Sequence, residues 1–262
     1  MKNISFLDTT SAHLPHLMAQ ADRSNLSHDK IVVTDSCVGA DLYNKFKVAW
    51  LIEPECVIPQ VYAYVRANYL KFDKVITHNR KLLKDVPNSH FMPFGTTFLE
   101  SNERKVFNKN KNFSMIASGK NFTSGHAFRL SVMRSLPSNV DLYGRSVKPI
   151  DSKLEGLKDY RYSVAIENEK QDYWFTEKLL DCFLTGTIPI YWGCPSIGDF
   201  FNMDGMVIVD SIEDILEALR HLNEEHYASK QEAILDNFKI AETFMFPYEE
   251  VYKLVDKDES CK

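Results

Sequence analysis

The sequence predicts an α/β protein made of two doubly wound, Rossmann-like halves. Short apolar, β-branched runs recur along the chain, and stretches with helical periodicity separate many of them. Strands that alternate with helices are typical of parallel sheets. A chain of 262 residues can form two small domains or one large one. The polar, Asn- and Lys-rich segment 99–112 separates two groups of strands, so we place the domain boundary there.

The first predicted domain covers residues 1–105. It contains the strand-like runs NISFLD, KIVVTD, KVAWLI, KVITHN and HFMPF, and the helical pattern VYAYVRANYLKF lies between the third and fourth of them. The runs are short and rich in Val and Ile, which favours buried strands over helices.

The second predicted domain covers residues 106–262. Its strand-like runs are FSMIAS, VDLYG, YSVAIE, TIPIYW and MVIVD, and its helical patterns include FRLSVMRSL and EKLLDCFL. The C-terminal tail is predicted to be helical from Ser211, which acts as the N-cap with Asp214 three positions later, a variant of the capping box. Ile212, Ile215, Leu216 and Leu219 then share one helix face, which indicates packing.

Composition excludes several classes of protein. With 44% hydrophobic and 26% charged residues, the chain has an ordinary globular composition, and no apolar run is long enough to cross a bilayer. Its five cysteines form no C-x-x-C pair, so neither a disulfide framework nor a zinc site is expected. The formal charge of -5 includes no basic block, which argues against binding to nucleic acid. The first residues, MKNISFLDTT, contain an apolar segment before Asp8 that is too short for a signal peptide. We therefore expect a cytoplasmic protein.

The most informative stretch is IENEKQDYWFTEKLL, residues 166–180. A buried strand is predicted to end at Glu167, and in open α/β sheets ligands bind beyond such strand ends. Thr176 is a suitable N-cap, which places Glu177 and Lys178 in the first turn of a helix. A lysine there is unfavourable unless an anion such as a diphosphate binds. The alternative is a solvated ion pair beside three core aromatic residues, 173–175.

A longer run, YRYSVAIENEKQDYWFTEKLLDCFLTGTIPIYWGCPSIGDFF, resembles the donor-binding signature of the α1,3-fucosyltransferases, glycosyltransferase family 10. That pattern is a strand ending in Glu-Asn, a loop with an aromatic residue, Thr-Glu-Lys, a helix, and then a Pro-Ile-Tyr-Trp-Gly segment. The resemblance implies a GT-B fold, with two Rossmann-like domains facing a central cleft. It also implies inverting transfer of L-fucose from GDP-fucose to a hydroxyl of a glycan or glycoconjugate acceptor.

The resemblance also implies roles for individual residues of the donor-side domain. It makes Lys178 a contact to the diphosphate, Glu177 and Asn168 contacts to ribose or fucose, and Trp174 a wall near the nucleotide. Upstream, SMIASGKNFTSGHAFRLSVMRSL is similar to a family segment in which an arginine heads a helix. That arginine is Arg129, whose guanidinium suits the charge that builds on departing GDP. Its alternative is a surface helix arginine, and Lys120 in the same loop is a second cationic candidate.

Inverting transfer needs a base that takes the proton of the acceptor hydroxyl, and a carboxylate is the usual choice. The first predicted domain would supply it, as the acceptor side. Our candidate is Glu53 in VAWLIEPECVIP, because it follows an apolar strand and precedes a proline. Glu55 and Asp35 are alternatives, and each of the three carboxylates could instead cap a turn.

No Asp-x-Asp triplet follows a strand, as it would in a metal-dependent sugar transferase. His13, His16 and His28 lack metal-ligand spacing as well. We therefore predict that no cofactor is required and that Arg129 and Lys178 supply the positive charge, while stimulation by a divalent ion stays open. Two other functions stay open too: a transferase that uses another GDP-sugar, such as GDP-mannose, and a non-catalytic nucleotide- or glycan-binding protein.

Overall fold

The computed structural model describes residues 4–8, 28–42 and 45–256, which form two compact α/β units. Every strand predicted above is present. The strands are β1 Ile4–Leu7, β2 Lys30–Thr34, β3 Phe46–Leu51, β4 Lys74–Thr77, β5 Ser89–Phe91, β6 Lys111–Ile116, β7 Val140–Tyr143, β8 Tyr160–Ile166, β9 Ile188–Trp192 and β10 Val207–Ile208. The α-helices are α1 Pro59–Asn68, α2 Arg80–Asp85, α3 Ser124–Ser135, α4 Glu177–Phe183, α5 Ile212–His221, α6 Glu224–Ser229, α7 Gln231–Thr243 and α8 Pro247–Asp256.

Unit 1 is built on a parallel sheet in which the strands β1 to β5 lie side by side in sequence order. Its described residues come from the chain up to Thr96, from Asp172–Trp174 and from Phe246 onward. The strands β2, β3 and β4 are almost completely buried. A strand covered on both faces can be apolar throughout, which explains why these runs do not alternate with polar residues.

The last described helix, α8, belongs to unit 1. Its buried residues Tyr248, Val251, Tyr252 and Val255 recur at helical spacing and join the core of the first sheet. Tyr252 meets Phe6 of β1 edge to face, with ring centroids 5.6 Å apart. The chain therefore returns to its first unit at the end, whereas we had assigned all of residues 106–262 to the second domain.

The change from unit 1 to unit 2 falls between Thr96 and Thr97, ahead of the predicted boundary at residue 105. The physical reason is local packing. Thr97 and Leu99 are buried, and the hydroxyl of Thr97 donates to Asp181 of α4 at 2.6 Å. The first residues of the polar segment are thus fixed within unit 2, although their composition resembles that of a linker.

Unit 2 contains a second parallel sheet, in the order β10-β9-β8-β6-β7. The chain goes from β6 to β7 on one side and then crosses to β8 on the other, so the strand order reverses between β6 and β8. Beyond this sheet, Ser211 caps α5, and Asp214 accepts from the Ser211 backbone N–H, which confirms the predicted capping box.

No helix among the described residues combines the length and the apolar character that crossing a membrane requires.

Candidate active site

The reversal between β6 and β8 is where a doubly wound sheet offers a ligand crevice, because the loops that leave the two strands diverge there. Residues 117–123 leave β6, and residues from Glu167 onward leave β8. Most of the residues predicted to bind a donor follow one of these strands. The strand order, which the sequence did not provide, thus identifies this edge of unit 2 as the candidate site.

Glu167, the first residue after β8, organises this edge. Its side chain is fully buried, and its two carboxylate oxygens accept from the backbone N–H and the hydroxyl of Thr176, each at 2.7 Å. Its own N–H donates to the carbonyl of Trp192 at 2.9 Å, which continues the β8–β9 ladder. A buried carboxylate thus joins the end of β8 to the start of α4. We had treated this residue only as part of the signature.

Lys178 lies in the first turn of α4, as predicted, after the N-cap Thr176. Its ammonium Nζ is 3.4 Å from Glu167 Oε2, 3.4 Å from Glu177 Oε1 and 3.0 Å from the Thr176 hydroxyl. Burial lowers its pKa, but Glu177 and Glu167 outweigh burial and hold the pKa of Lys178 above its ordinary value. The side chain is 19% exposed, so an anion can still reach a charge that is fixed in place.

These ion pairs change the reason for which a lysine is tolerated at this position. We expected an external anion to offset the unfavourable helix dipole, but α4 has only seven residues, and two carboxylates already stabilise the ammonium. The dipole contributes about 0.3–1 kcal/mol at an exposed site. The carboxylates and the lysine, rather than the helix end, therefore define the electrostatics.

Arg129 and Asn168 connect the loops after β6 and β8. The guanidinium of Arg129 is buried and donates to the Ile166 carbonyl at 2.7 Å and to the Asn168 side-chain oxygen at 2.8 Å. Burial lowers the pKa of Arg129, with Glu167 and Glu177 opposing the shift, yet a guanidinium keeps its charge in proteins. Arg129 lies inside α3 rather than at its head, and it places a positive charge directly behind Asn168.

The start of α3 packs closely against the Glu167–Asn168 backbone. Gly125 N–H and the Thr123 hydroxyl both donate to the Asn168 carbonyl, at 3.2 and 2.5 Å. A Cβ on Gly125 would lie 2.3 Å from the Glu167 carbonyl oxygen, so only glycine permits this approach. The start of α3 therefore holds the backbone of the Glu-Asn pair in place.

Glu177 is nearly buried and contacts a second lysine that we did not predict, Lys153, at 3.0 Å. Lys153 begins a 3-10 turn, Lys153–Gly156, which is 24 positions away in sequence. Nothing in the local sequence around Lys153 indicates this contact. A small pocket of unit 2 lies at this place, and the charged residues that line it are Lys153, Glu177, Lys178 and Asp181.

The other two residues predicted to bind the donor lie outside the group of ion-paired side chains around Glu177 and Lys178. Lys120 is exposed on the loop after β6, with its ammonium 5.9 Å from the centroid of the Phe122 ring. Trp174 is 1% exposed and belongs to the core of unit 1, where its indole N–H donates to the Ile52 carbonyl at 3.1 Å. Instead of forming a wall beside a nucleotide, the Trp174 ring fills a core, because the chain enters unit 1 at Asp172–Trp174 before α4 begins.

The three candidate bases lie at strand ends of unit 1. Asp35 adopts a left-handed φ of 38°, and its carboxylate accepts from the backbone N–H groups of Ile52 at 2.8 Å and Glu53 at 3.3 Å. Glu55 forms a two-pronged ion pair with Arg66 at 2.6 and 2.9 Å, and this hydrogen bonding lowers the pKa of Glu55. Both are engaged in structural contacts. Glu53 is half-buried and directly follows Ile52, and it stays the predicted base.

A nearby histidine does not compete for this role. His78 follows β4 and is completely buried beside Trp174, with ring centroids 6.4 Å apart. Burial lowers the pKa of His78 to about 3, so its imidazole is neutral at physiological pH and out of reach of a substrate. His28 bonds to Ser5 at 2.9 Å, and His13 and His16 lie outside the described residues. In the described part of the chain, no three His, Cys, Asp or Glu residues are grouped so that they could hold a metal ion.

Replacing Glu167 with glutamine is expected to lower the free energy of unfolding by about 3 kcal/mol, because it breaks a buried ion pair and leaves Lys178 with less compensation. Urea unfolding of the wild type and of Glu167→Gln measures the loss. The matched control is Glu169→Gln, since Glu169 is more exposed and bonds to Ser124 at 2.9 Å. That change should stay within about 0.5 kcal/mol. Equal stabilities for the two variants would show that Glu167 does not organise the site.

The chain is similar to known proteins in both sequence and fold. The family model "Glycosyltransferase family 10 (fucosyltransferase) C-term" matches residues 106–253, more than half of the chain. The alpha-(1,3)-fucosyltransferase of Helicobacter pylori is 34% identical over 77 residues, which is 29% of this chain. The match spans only 16% of the length of that relative.

Solved structures are similar over nearly the whole chain. A crystal structure of an alpha1,3-fucosyltransferase with GDP-fucose has a TM-score of 0.56 and 17% identity, and the match covers 95% of this chain and 89% of that one. A structure of an alpha1,3-fucosyltransferase with GDP matches over the same shares, with 16% identity and a TM-score of 0.56. At this identity the likeness concerns the fold. Together with the parallel sheet found in each of the two α/β units, it confirms the predicted GT-B class.

Proposed function

Since this chain belongs to glycosyltransferase family 10, we propose that it transfers L-fucose from GDP-fucose to a hydroxyl of a glycan acceptor, with inversion at the sugar carbon. The observation that carries the proposal is the cluster of Arg129, Asn168, Glu177 and Lys178 at the strand-order reversal of unit 2. A nucleoside diphosphate offers what these groups recognise, which is negative phosphates next to a hydroxylated ring.

In this proposal, Lys178 contacts the diphosphate. Its ammonium is partly exposed, and its charge is secured by Glu167 and Glu177. When the bond between the sugar carbon and the β-phosphate oxygen breaks, negative charge grows on GDP, and a preorganised cation stabilises it. Arg129 contributes a second fixed positive charge and orients Asn168 toward the ligand.

The acceptor hydroxyl is proposed to lose its proton to Glu53 as its oxygen attacks the sugar carbon from the face opposite GDP. One C–O bond forms, one breaks, and the proton stays on the carboxylate. The two buried or half-buried cations take the place that a divalent ion has in metal-dependent transferases. We therefore propose that the reaction does not require a metal.

A titration series tests the proposal. In calorimetry with excess chelator, GDP should bind, while UDP and ADP should bind at least about 10-fold more weakly. Turnover of GDP-fucose and GDP-mannose with a panel of glycan acceptors then identifies the sugar, and GDP-fucose should be the productive donor. Absence of nucleotide binding in a folded sample, or complete dependence of turnover on a metal, would contradict the proposal. Binding without turnover on any acceptor would favour a non-catalytic role.

A further inference from the structure

One carboxylate oxygen of the candidate site is shared by two lysines. Glu177 Oε1 is 3.0 Å from the ammonium of Lys153 and 3.4 Å from that of Lys178. Both ammonium groups contact the same oxygen, and Lys153 makes the shorter of the two contacts. Lys153 therefore constrains where this carboxylate lies.

The position of Lys153 is fixed on several sides. Its 3-10 turn begins with a capping box in which Ser152 and Glu155 bond reciprocally to each other's backbone N–H groups. The Ser152 hydroxyl also donates to Glu103 at 2.7 Å. The Lys153 ammonium lies 4.4 Å from the centroid of the Phe98 ring, a favourable cation–π distance. These contacts limit the rotamers that the lysine can adopt.

Lys153 also pairs with Asp181, which lies one helical turn after Glu177 in α4. Its Oδ1 accepts from the Thr97 hydroxyl and the Phe98 N–H, at 2.6 and 3.1 Å. Its Oδ2 is buried without a hydrogen bond in the described structure, 3.6 Å from the Lys153 ammonium. Burial raises the pKa of Asp181 to about 6, with Lys153 opposing the shift. The lysine therefore compensates a carboxylate that would otherwise be an isolated buried charge.

We propose that Lys153 is a positioning residue that holds the Glu177 carboxylate in one orientation, in which it recognises the ribose hydroxyls of the nucleotide. This inference rests on the proposed function. Glu177 and Lys178 are consecutive, so a carboxylate next to the phosphate-binding ammonium lies within reach of the ribose, which is joined to the α-phosphate through a single methylene.

The test compares GDP with 2′,3′-dideoxy-GDP, which lacks both ribose hydroxyls. In the wild type, GDP should bind about 3- to 10-fold more tightly than the dideoxy analogue, the net value of a hydrogen bond or two. In Lys153→Ala this ratio should fall to about 1, and it should do so in Glu177→Ala as well. A general loss of positive charge weakens both ligands equally and cancels in the ratio.

Two controls keep the result interpretable. Lys158→Ala removes an exposed lysine five positions further along the same segment, and the ratio should stay at the wild-type value. Lys153→Gln keeps a donor toward Glu177 and should retain part of the ratio. Lys153→Ala is expected to fold, because Asp181 can take up a proton when its cation is removed.

Each outcome decides a separate question. If Lys153→Ala lowers the affinity for both ligands by the same factor, Lys153 only adds charge and the positioning role is wrong. A wild-type ratio near 1 would also overturn the inference, since the ribose hydroxyls would then not be recognised. If the wild type binds neither ligand, the proposed function itself fails, and this result is distinguishable from the other two.

Discussion

Replacing Lys178 with alanine is expected to weaken GDP binding about 10- to 100-fold. The lost interaction is a charge-assisted hydrogen bond to the diphosphate, which contributes about 1.5–3 kcal/mol. Lys178 is suited to this contact because its ammonium is held at 3.4 Å from two carboxylates and still has 19% of its side chain exposed. Calorimetric titration of both proteins with GDP measures the effect.

Stability must be separated from binding in this experiment, because Lys178→Ala leaves the buried Glu167 carboxylate without its cation. Lys178→Arg keeps a positive charge beside Glu167 and Glu177, so its free energy of unfolding should stay closer to that of the wild type. The longer arginine side chain, however, places its N–H groups differently relative to the diphosphate. Its GDP affinity should lie between those of the wild type and the alanine variant. Lys158→Ala is the matched control, since Lys158 is exposed and is not one of the predicted donor-binding residues.

The salt dependence provides a second readout. Binding to a fixed ammonium should weaken as ionic strength rises, and the slope should be smaller for Lys178→Ala than for the wild type. If Lys178→Ala is folded and binds GDP with wild-type affinity, then the predicted diphosphate contact is wrong. The cluster at the end of β8 would in that case be an internal ion-pair network.

Much of this site could be predicted because local sequence determines it. Thr176 caps α4, and the cap fixes Glu177 and Lys178 in the first turn whatever else surrounds them. The strands could be predicted equally well, because parallel strands that are buried on both faces are continuous apolar segments in the sequence. Local rules of this kind place residues along an element.

Local rules do not state which unit an element packs against. Trp174 follows the loop after β8, and by sequence alone it belongs with the residues around it. The structure instead assigns Asp172–Trp174 to unit 1, where Tyr173 adopts a left-handed φ of 62°. A left-handed tyrosine costs of order 1 kcal/mol, and contacts in unit 1, such as Phe91 at 4.8 Å from its ring, offset that cost. The return of α8 to unit 1 is the same kind of event.

Ion pairs between residues far apart in the sequence are the other feature that the sequence did not predict. Lys153 and Glu177 are brought together by the arrangement of β8, α4 and the 3-10 turn, and no spacing rule connects residues so far apart in sequence. Glu167 shows the same limit at shorter range. Its place at the end of a strand was predicted, but its hydrogen bonds to Thr176 depend on how the intervening loop folds back.

Glu53→Gln is expected to lower kcat for sugar transfer about 100- to 10,000-fold while GDP affinity stays within about 2-fold. Glutamine keeps the size of the side chain but cannot accept the proton, so the loss measures base catalysis. The assay is GDP release from GDP-fucose with the acceptor that the wild type uses.

Glu55→Gln and Asp35→Asn discriminate the base from its neighbours. Glu55 pairs with Arg66, and Asp35 accepts from the N–H groups of Ile52 and Glu53, so each change should reduce the free energy of unfolding. Glu55→Gln should leave kcat within a few-fold of the wild type. A large loss of kcat in Glu55→Gln with normal turnover in Glu53→Gln would reassign the base. Because Asp35 accepts from the backbone N–H of Glu53, a drop in kcat for Asp35→Asn that is much smaller than the drop for Glu53→Gln would identify Asp35 as a residue that positions the base.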